Sequence, residues 1–285
     1  MKIGTRASRL AVLQARQVAD FLAGRGVPGE LVTMTTTGDR ILDRPLDTIG
    51  GKGLFVKELD RALLEGRTDL SVHSLKDLPM EVPEELPLVG FSPREDPRDV
   101  LVLPAGASSW NKGLPVGCGS RRRSVQLLDL EPGLTLAPIR GNVLTRLEKL
   151  DRGEYGALVL AAAGLKRLGL ESRIFRYFSV EEMIPAAGQG ILALQGRRDF
   201  DRSLLTGFHD AQSQIRALAE RAFVRTLGGG CSAPVGAYAH IEKGRLHLAG
   251  MFWDGRECRR VRGSGALEKP EELGQALARE ARHGA

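Results

Sequence analysis

The chain has 285 residues, 42% hydrophobic and 27% charged, a balance that fits a soluble globular protein with two or three domains. Its formal net charge is +6, but the basic residues form no long tract and aromatics make up only 5%, which argues against a nucleic-acid binder that stacks bases. No apolar run reaches the roughly 20 residues of a membrane helix. No signal peptide precedes the first strand, so the expected location is the cytoplasm. The three cysteines, Cys118, Cys231 and Cys258, lack CxxC or CxxH spacing, so neither a disulfide framework nor a metal site is expected.

Residues 2–4 read as a short strand. Ser8 stands at the N-cap of a helix with the stripe Leu10, Leu13, Val18, Phe21 and Leu22, ended by Gly24 and Gly26. Residues 31–36 are β-branched and strand-like. The polar loop over 38–53 carries Gly50-Gly51-Lys52-Gly53. It lacks the spacing of a nucleotide-binding loop and reads as a glycine-rich lid. A helix over 55–64 and strands over 70–72 and 86–91 complete a βαβα run, which predicts a mostly parallel sheet.

Glu95-Asp96-Pro97-Arg98-Asp99 combines charge with proline and predicts a hinge. A second α/β run follows, with strands over 100–103, 114–117, 134–139 and 157–160 and helices over 120–130 and 143–150. Residues 184–190 read as a second crossing, and 191–194 as a strand returning to the first sheet. After Asp210 come a helix with Ile215, Leu218, Ala222 and Phe223, strands over 237–241, 245–252 and 259–262, and a closing helix over 270–282.

The expected fold class is therefore α/β. It comprises two periplasmic-binding-protein-like (type II) lobes with a cleft, plus a small C-terminal α+β domain with a three-stranded antiparallel sheet. Lobe 1 is expected over 1–95 and 189–209, lobe 2 over 98–186, and the C-terminal domain over 211–285.

Several groups suit an anionic ligand. Gly4 to Ser8 and Gly117 to Ser120 each follow a short strand and open a helix, giving two anion-binding helix ends. Val72-His73-Ser74-Leu75-Lys76-Asp77 supplies a donor, a cation and a base just after a strand, where α/β folds place ligands. His73 reads as packed. Arg6, Arg122, Arg123, Arg140, Arg146 and Arg167 recur at loop-to-helix junctions, suited to bidentate carboxylate pairing. Leu227-Gly228-Gly229-Gly230-Cys231 ends a helix in a glycine loop. Locally, Cys231 reads as an ordinary loop residue. A non-enzymatic two-lobed binder of an organic anion would share most of these features.

The motifs Gly4-Thr-Arg-Ala-Ser8, Gly50-Gly-Lys-Gly-Leu-Phe-Val-Lys57, Val72-His-Ser-Leu-Lys-Asp77, Arg94-Glu-Asp-Pro-Arg-Asp99, Arg140-Gly-Asn-Val143, Ala163-Gly-Leu-Lys-Arg-Leu-Gly169 and Gly229-Gly-Cys231 together resemble the porphobilinogen deaminase (hydroxymethylbilane synthase) family. That resemblance implies head-to-tail condensation of four porphobilinogen molecules with loss of ammonia. The condensation starts from a dipyrromethane cofactor, made from substrate and held by a thioether to Cys231. Asp77 matches the catalytic aspartate. Arg6, Arg122, Arg123, Arg140, Arg146 and Arg167 match carboxylate-binding positions, with Ser8, Ser74, Lys76 and Ser120 as polar neighbours. Lys52 and Phe55 fall on the lid, where Phe55 is placed to cover a ring face. The resemblance also implies a cytoplasmic monomer that hands its product to the next enzyme. The sequence departs from the family at Cys118 and Gly119, where hydroxyl side chains are usual, and at Thr48, where some members carry lysine.

Overall fold

A computed structural model describes residues 1–40, 53, 55–229 and 233–283. In chain order the first elements are β1 (Lys2–Arg6), α1 (Arg9–Ala23), β2 (Glu30–Met34), α2 (Thr37–Arg40), α3 (Lys57–Leu64), β3 (Leu70–Ser74) and β4 (Leu88–Phe91). Next come β5 (Asp99–Val102), β6 (Val116–Gly117), α4 (Arg121–Leu130), β7 (Leu136–Ala137), α5 (Val143–Asp151), β8 (Ala157–Ala161), α6 (Ala162–Arg167), β9 (Ile174–Tyr177) and β10 (Leu192–Gly196). The last are α7 (Ala211–Thr226), β11 (Val235–Glu242), β12 (Arg245–Trp253), β13 (Cys258–Gly265) and α8 (Pro270–His283). They group into two compact units, Met1–Glu95 with Gly190–Gln214, and Asp96–Gln189 with Ile215–Ala285.

In the first unit, Ser8 accepts from the Ala11 N–H and so starts α1, satisfying one of the helix's orphan donors. The helix buries Ala11, Ala15, Val18, Ala19 and Leu22 against Ile3, Leu70, Val72 and Leu194 of the sheet. The strand order is β2-β1-β3-β10-β4. β1 runs parallel to β2 and β3, whereas β10 is antiparallel to β3 and β4. The sheet is thus mixed, not mostly parallel as patterning alone predicts. The alternation of strand and helix does not reveal that β10 enters from the opposite direction after the second crossing. All five residues of β10 are buried, as befits a strand flanked on both sides and covered on both faces.

The second unit repeats this plan with order β7-β6-β8-β5-β9. β6 pairs parallel with β7 and β8, and β5 antiparallel with β8 and β9. In each five-stranded sheet the antiparallel strand holds fourth place and is the first strand after a crossing. Two such sheets make the two periplasmic-binding-protein-like lobes expected. The second unit also holds the antiparallel sheet β11-β12-β13, which packs on α8. A Cβ on Gly250 would collide with the Phe223 ring of α7, and one on Gly274 of α8 with the Ala219 carbonyl; the helices and the sheet therefore approach at glycine. β9 and α6 have no counterpart in the sequence reading. Among the described residues, no helix is long and apolar enough to cross a membrane.

Candidate active site

In the first unit, Arg6 closes β1 and Ser74 closes β3, and a 3-10 turn (Leu75–Asp77) carries Lys76 and Asp77 directly beyond. Parallel pairing of β1 and β3 brings these ends together. Arg6, Gln14, Phe55, His73, Ser74 and Asp77 line one pocket. The sequence reading grouped Arg6, Ser74 and Asp77; Gln14 is an addition.

Each side chain is held from behind. The Gln14 side-chain amide donates to the Ser74 hydroxyl at 3.0 Å. Arg6 donates to both oxygens of Asp39, with its Nε 3.2 Å from Oδ2. The Thr36 hydroxyl also donates to Asp39 Oδ2, at 2.7 Å. Burial works to raise the Asp39 pKa, but the Arg6 and Thr36 hydrogen bonds outweigh it and hold the carboxyl below its usual value. The Arg6 guanidinium lies 4.3 Å from the Phe55 ring centroid, within cation–π range. The Asp39 carboxylate and the Phe55 ring thus hold the Arg6 guanidinium in place. Ser8 is committed to capping α1.

His73 is 7% exposed. Burial first, and the nearby Arg6 charge with it, push its pKa down to about 4, against an opposing contact with Gln195. The imidazole is neutral at neutral pH, in keeping with its reading as a packed residue. Burial lifts the carboxyl of Asp60, on α3, to about 6, against a side-chain hydrogen bond with Gln195.

In the second unit, Ser120 is the N-cap residue of α4, yet its side chain makes no capping bond; Asn142 does cap α5. Gly119 stands against the next junction: a Cβ there would lie 2.8 Å from the Ile139 carbonyl and 3.5 Å from an Arg146 nitrogen. Arg146 donates from Nε to the Gly141 carbonyl at 2.8 Å. Ser120, Arg140 and Arg146 are therefore brought to adjacent strand-to-helix junctions. Arg140 is half-buried, which lowers its pKa. Arg167 ends α6. Cys118 is buried, its Sγ 3.4 Å from the Ser120 carbonyl.

Arg122 and Arg123 lie deeper than their sequence position suggests, at 3% and 6% exposure. Both pair with Asp99, at 2.8 and 2.7 Å. Asp99 was missed because its partners lie more than twenty residues away. Lys52, Thr48 and Cys231 lie outside the described residues.

The donor set fits a cofactor that carries acetate and propionate groups. It offers an uncommitted Ser120 hydroxyl at a helix N-terminus, guanidinium groups on neighbouring junctions, and a glycine where a side chain would fill the space between them.

The chain thus has two α/β sheets with cationic side chains at strand ends, and in the first unit a carboxylate, Asp77, in the same pocket as Arg6. The family model "Porphobilinogen deaminase, dipyromethane cofactor binding domain" matches residues 1–204, and "Porphobilinogen deaminase, C-terminal domain" matches 214–283. The chain belongs to the porphobilinogen deaminase family. It is 53% identical over 288 residues to the porphobilinogen deaminase of Acetivibrio thermocellus, covering 100% of this chain and 99% of that protein. With the enzyme of the same name from Roseiflexus sp. it shares 48% over 286 residues, covering 98% and 94%. Among solved structures, the periplasmic aliphatic sulphonate binding protein SsuA from Escherichia coli aligns with a TM-score of 0.42 at 14% identity, covering 79% of this chain and 70% of that one.

Proposed function

We propose that the protein is a hydroxymethylbilane synthase, a transferase of tetrapyrrole biosynthesis. It condenses four porphobilinogen molecules in sequence, releasing one ammonia at each step, and water then adds to the methylene carbon at which the chain is cut from the cofactor, freeing the linear hydroxymethyl tetrapyrrole. The observation that carries the chemistry is the meeting of Asp77, Arg6 and Ser74 in one pocket at the ends of β1 and β3.

The roles follow from charge. Each incoming pyrrole brings an acetate and a propionate, and Arg6, propped by Asp39 and Phe55, offers a fixed donor face to one of them. Breaking the aminomethyl C–N bond releases ammonia and leaves the substrate's methylene-pyrrole cationic. Asp77, beside that position, stabilises the cation and the pyrrole N–H groups. After the new C–C bond forms, the acceptor ring sheds its α-proton, and Asp77 is the base within reach. The dipyrromethane cofactor, when bound, supplies the starting nucleophilic ring.

In this reading Cys231 is the thioether anchor. Ser74, Lys76, Ser120, Arg122, Arg123, Arg140, Arg146 and Arg167 serve the carboxylates, Ser8 holds the N-terminus of α1 beside them, and Lys52 and Phe55 belong to a lid over the reacting ring. The protein acts in the cytoplasm as a monomer and hands its product to the next enzyme. The reading retains three domains, over 1–95 with 189–209, 98–186, and 211–285.

Intact-mass measurement tests the central claim. The purified chain is expected to carry a covalent dipyrrole adduct that Cys231→Ser removes together with turnover. An unmodified, fully active chain would refute it.

A further inference from the structure

A second polar group lies on the face of the first sheet that α3 covers. Leu70, Val72 and Leu194 belong to the α1 core, so Ser71, His73 and Gln195 point the other way, toward α3, which packs on β1 and β3. Gly4, Ser71 and Gln195 lie opposite one another across β1, β3 and β10. Asp60 of α3 and His73 both reach the Gln195 side chain. Thr68, just before β3, completes the group. A Cβ on Gly4 would lie 2.9 Å from Ser71 Oγ and 3.5 Å from Thr68 Oγ1, so glycine keeps the space before these hydroxyls open. Thr68, Ser71, His73 and Gln195 are all buried. Asp60 Oδ1, Thr68 Oγ1, Ser71 Oγ, His73 Nε2 and Gln195 Oε1 nevertheless have no hydrogen-bond partner in the protein.

Each orphaned interior atom costs about 1–3 kcal/mol, and these five share one character. Asp60 Oδ1 and Gln195 Oε1 can only accept, and a neutral His73 with its proton on Nδ1 accepts at Nε2. The two hydroxyls bring one hydrogen each, fewer than the acceptors need. The group therefore calls for a small ligand rich in hydrogen-bond donors, and charge selects which. No cationic side chain of the described residues pairs with Asp60, and burial raises its carboxyl; a bound cation would act in the opposite sense. Arg6 is near enough to lower the His73 pKa, but Asp39 answers its charge. His73 also lines the pocket of Arg6 and Asp77, so the group adjoins the place where the condensation frees its leaving group. There the C–N electron pair departs with nitrogen as ammonia, and the proton shed by the acceptor ring converts ammonia to ammonium.

We propose that Asp60, Thr68, Ser71, His73 and Gln195 form a binding site for ammonium, with the Asp60 carboxylate as its counter-ion. The N–H donors of ammonium meet the acceptors that two hydroxyls leave unmet, and its single positive charge meets a single carboxylate. Held there, the leaving group is kept from the electrophilic methylene carbon it has just left. The link to catalysis rests on the proposed condensation; the binding itself does not.

The test uses the full-length, cofactor-loaded enzyme without substrate at about pH 8, where Asp60 is ionised. Its denaturation midpoint is followed in ammonium chloride, potassium chloride and tetramethylammonium chloride at equal ionic strength. Potassium resembles ammonium in size but donates no hydrogen bond, and tetramethylammonium brings the charge alone. The expected result is a saturable rise in midpoint with ammonium only. The apparent affinity should fall at least about tenfold in Asp60→Asn and about threefold in Ser71→Ala. Equal midpoints in the three salts would overturn the proposal and leave the group to water. An equal rise with potassium would make it a general monovalent-cation site and overturn it too. Should Asp60→Asn not fold, Ser71→Ala decides, and an ammonium response unchanged from wild type refutes the site. Ammonia release from porphobilinogen separates the two levels. If wild type releases none, the proposed function fails whatever the salts show; if it releases ammonia while the midpoint ignores ammonium, only this site falls.

Discussion

Asp60→Asn should change how stability depends on pH, and its size can be worked out. Burial lifts the Asp60 carboxyl from 3.8 to about 6. Between those values the folded protein holds a proton that the unfolded chain has lost. The contribution of Asp60 is therefore complete below pH 3.8 and is lost as pH rises through about 6. Roughly two pH units correspond to about 3 kcal/mol, and the partial exposure of Asp60 reduces this to about 1.5 kcal/mol. His73 works in the opposite direction. Its pKa falls from 6.5 to about 4, so its contribution is complete above pH 6.5 and is lost as pH falls toward 4. The two trends oppose each other across nearly the same window. Asparagine keeps the shape and removes one of them. Relative to wild type, Asp60→Asn should gain about 1.5 kcal/mol on going from pH 4 to pH 7, and its own acid loss should be steeper because the His73 trend is no longer offset. Urea unfolding at four pH values between 4 and 7.5 measures this. A difference between variant and wild type that does not vary with pH would show the argument to be wrong.

Asp77→Ala should fold as wild type and lose essentially all turnover; near-native rates would remove the cation-stabilising role assigned to it. Arg140→Ala should raise KM with little change in unfolding midpoint, and lost stability with normal kinetics would return Arg140 to a structural role. Gly190→Ala should destabilise by on the order of 2–4 kcal/mol. Gly190 sits at φ +92°, and its Cβ would strike the Glu95 carbonyl. Thermal unfolding checks this, and a neutral result would mean that the crossing relaxes freely.

The fold was legible where pattern is local. The Ser8 cap, the α1 stripe and the Glu242-Lys243-Gly244 turn between β11 and β12 are each written within a few residues. Strand direction was not: β5 and β10 read as ordinary apolar strands, and only their partners make them antiparallel. β9 escaped because it is an edge strand whose Phe175 is half exposed, so it shows no inward stripe. α6, at six residues, is shorter than two helical turns. In the site, Arg6, Ser74 and Asp77 could be grouped because Arg6 and Ser74 end strands and Asp77 follows within one short turn. Asp39 and Asp99 could not, since a supporting carboxylate is recognised by what it touches. Arg122 and Arg123 mislead for the same reason: arginines at a helix start normally face solvent, and here the distant Asp99 carboxylate, with backbone carbonyls of Ile184 and Val159, accepts from them in the interior.

The position of β10 has a consequence for biosynthesis. It lies between β3 and β4, yet it leaves the ribosome about a hundred residues after β4. At roughly 5–20 residues per second, the first unit waits on the order of five to twenty seconds with its sheet split and two interior strand edges unpaired. Such edges invite pairing with other chains. The nascent polypeptide is thus most exposed to aggregation midway through synthesis, while its second lobe is being made, and a truncated product ending before Leu192 should be a client for chaperones rather than a stable half.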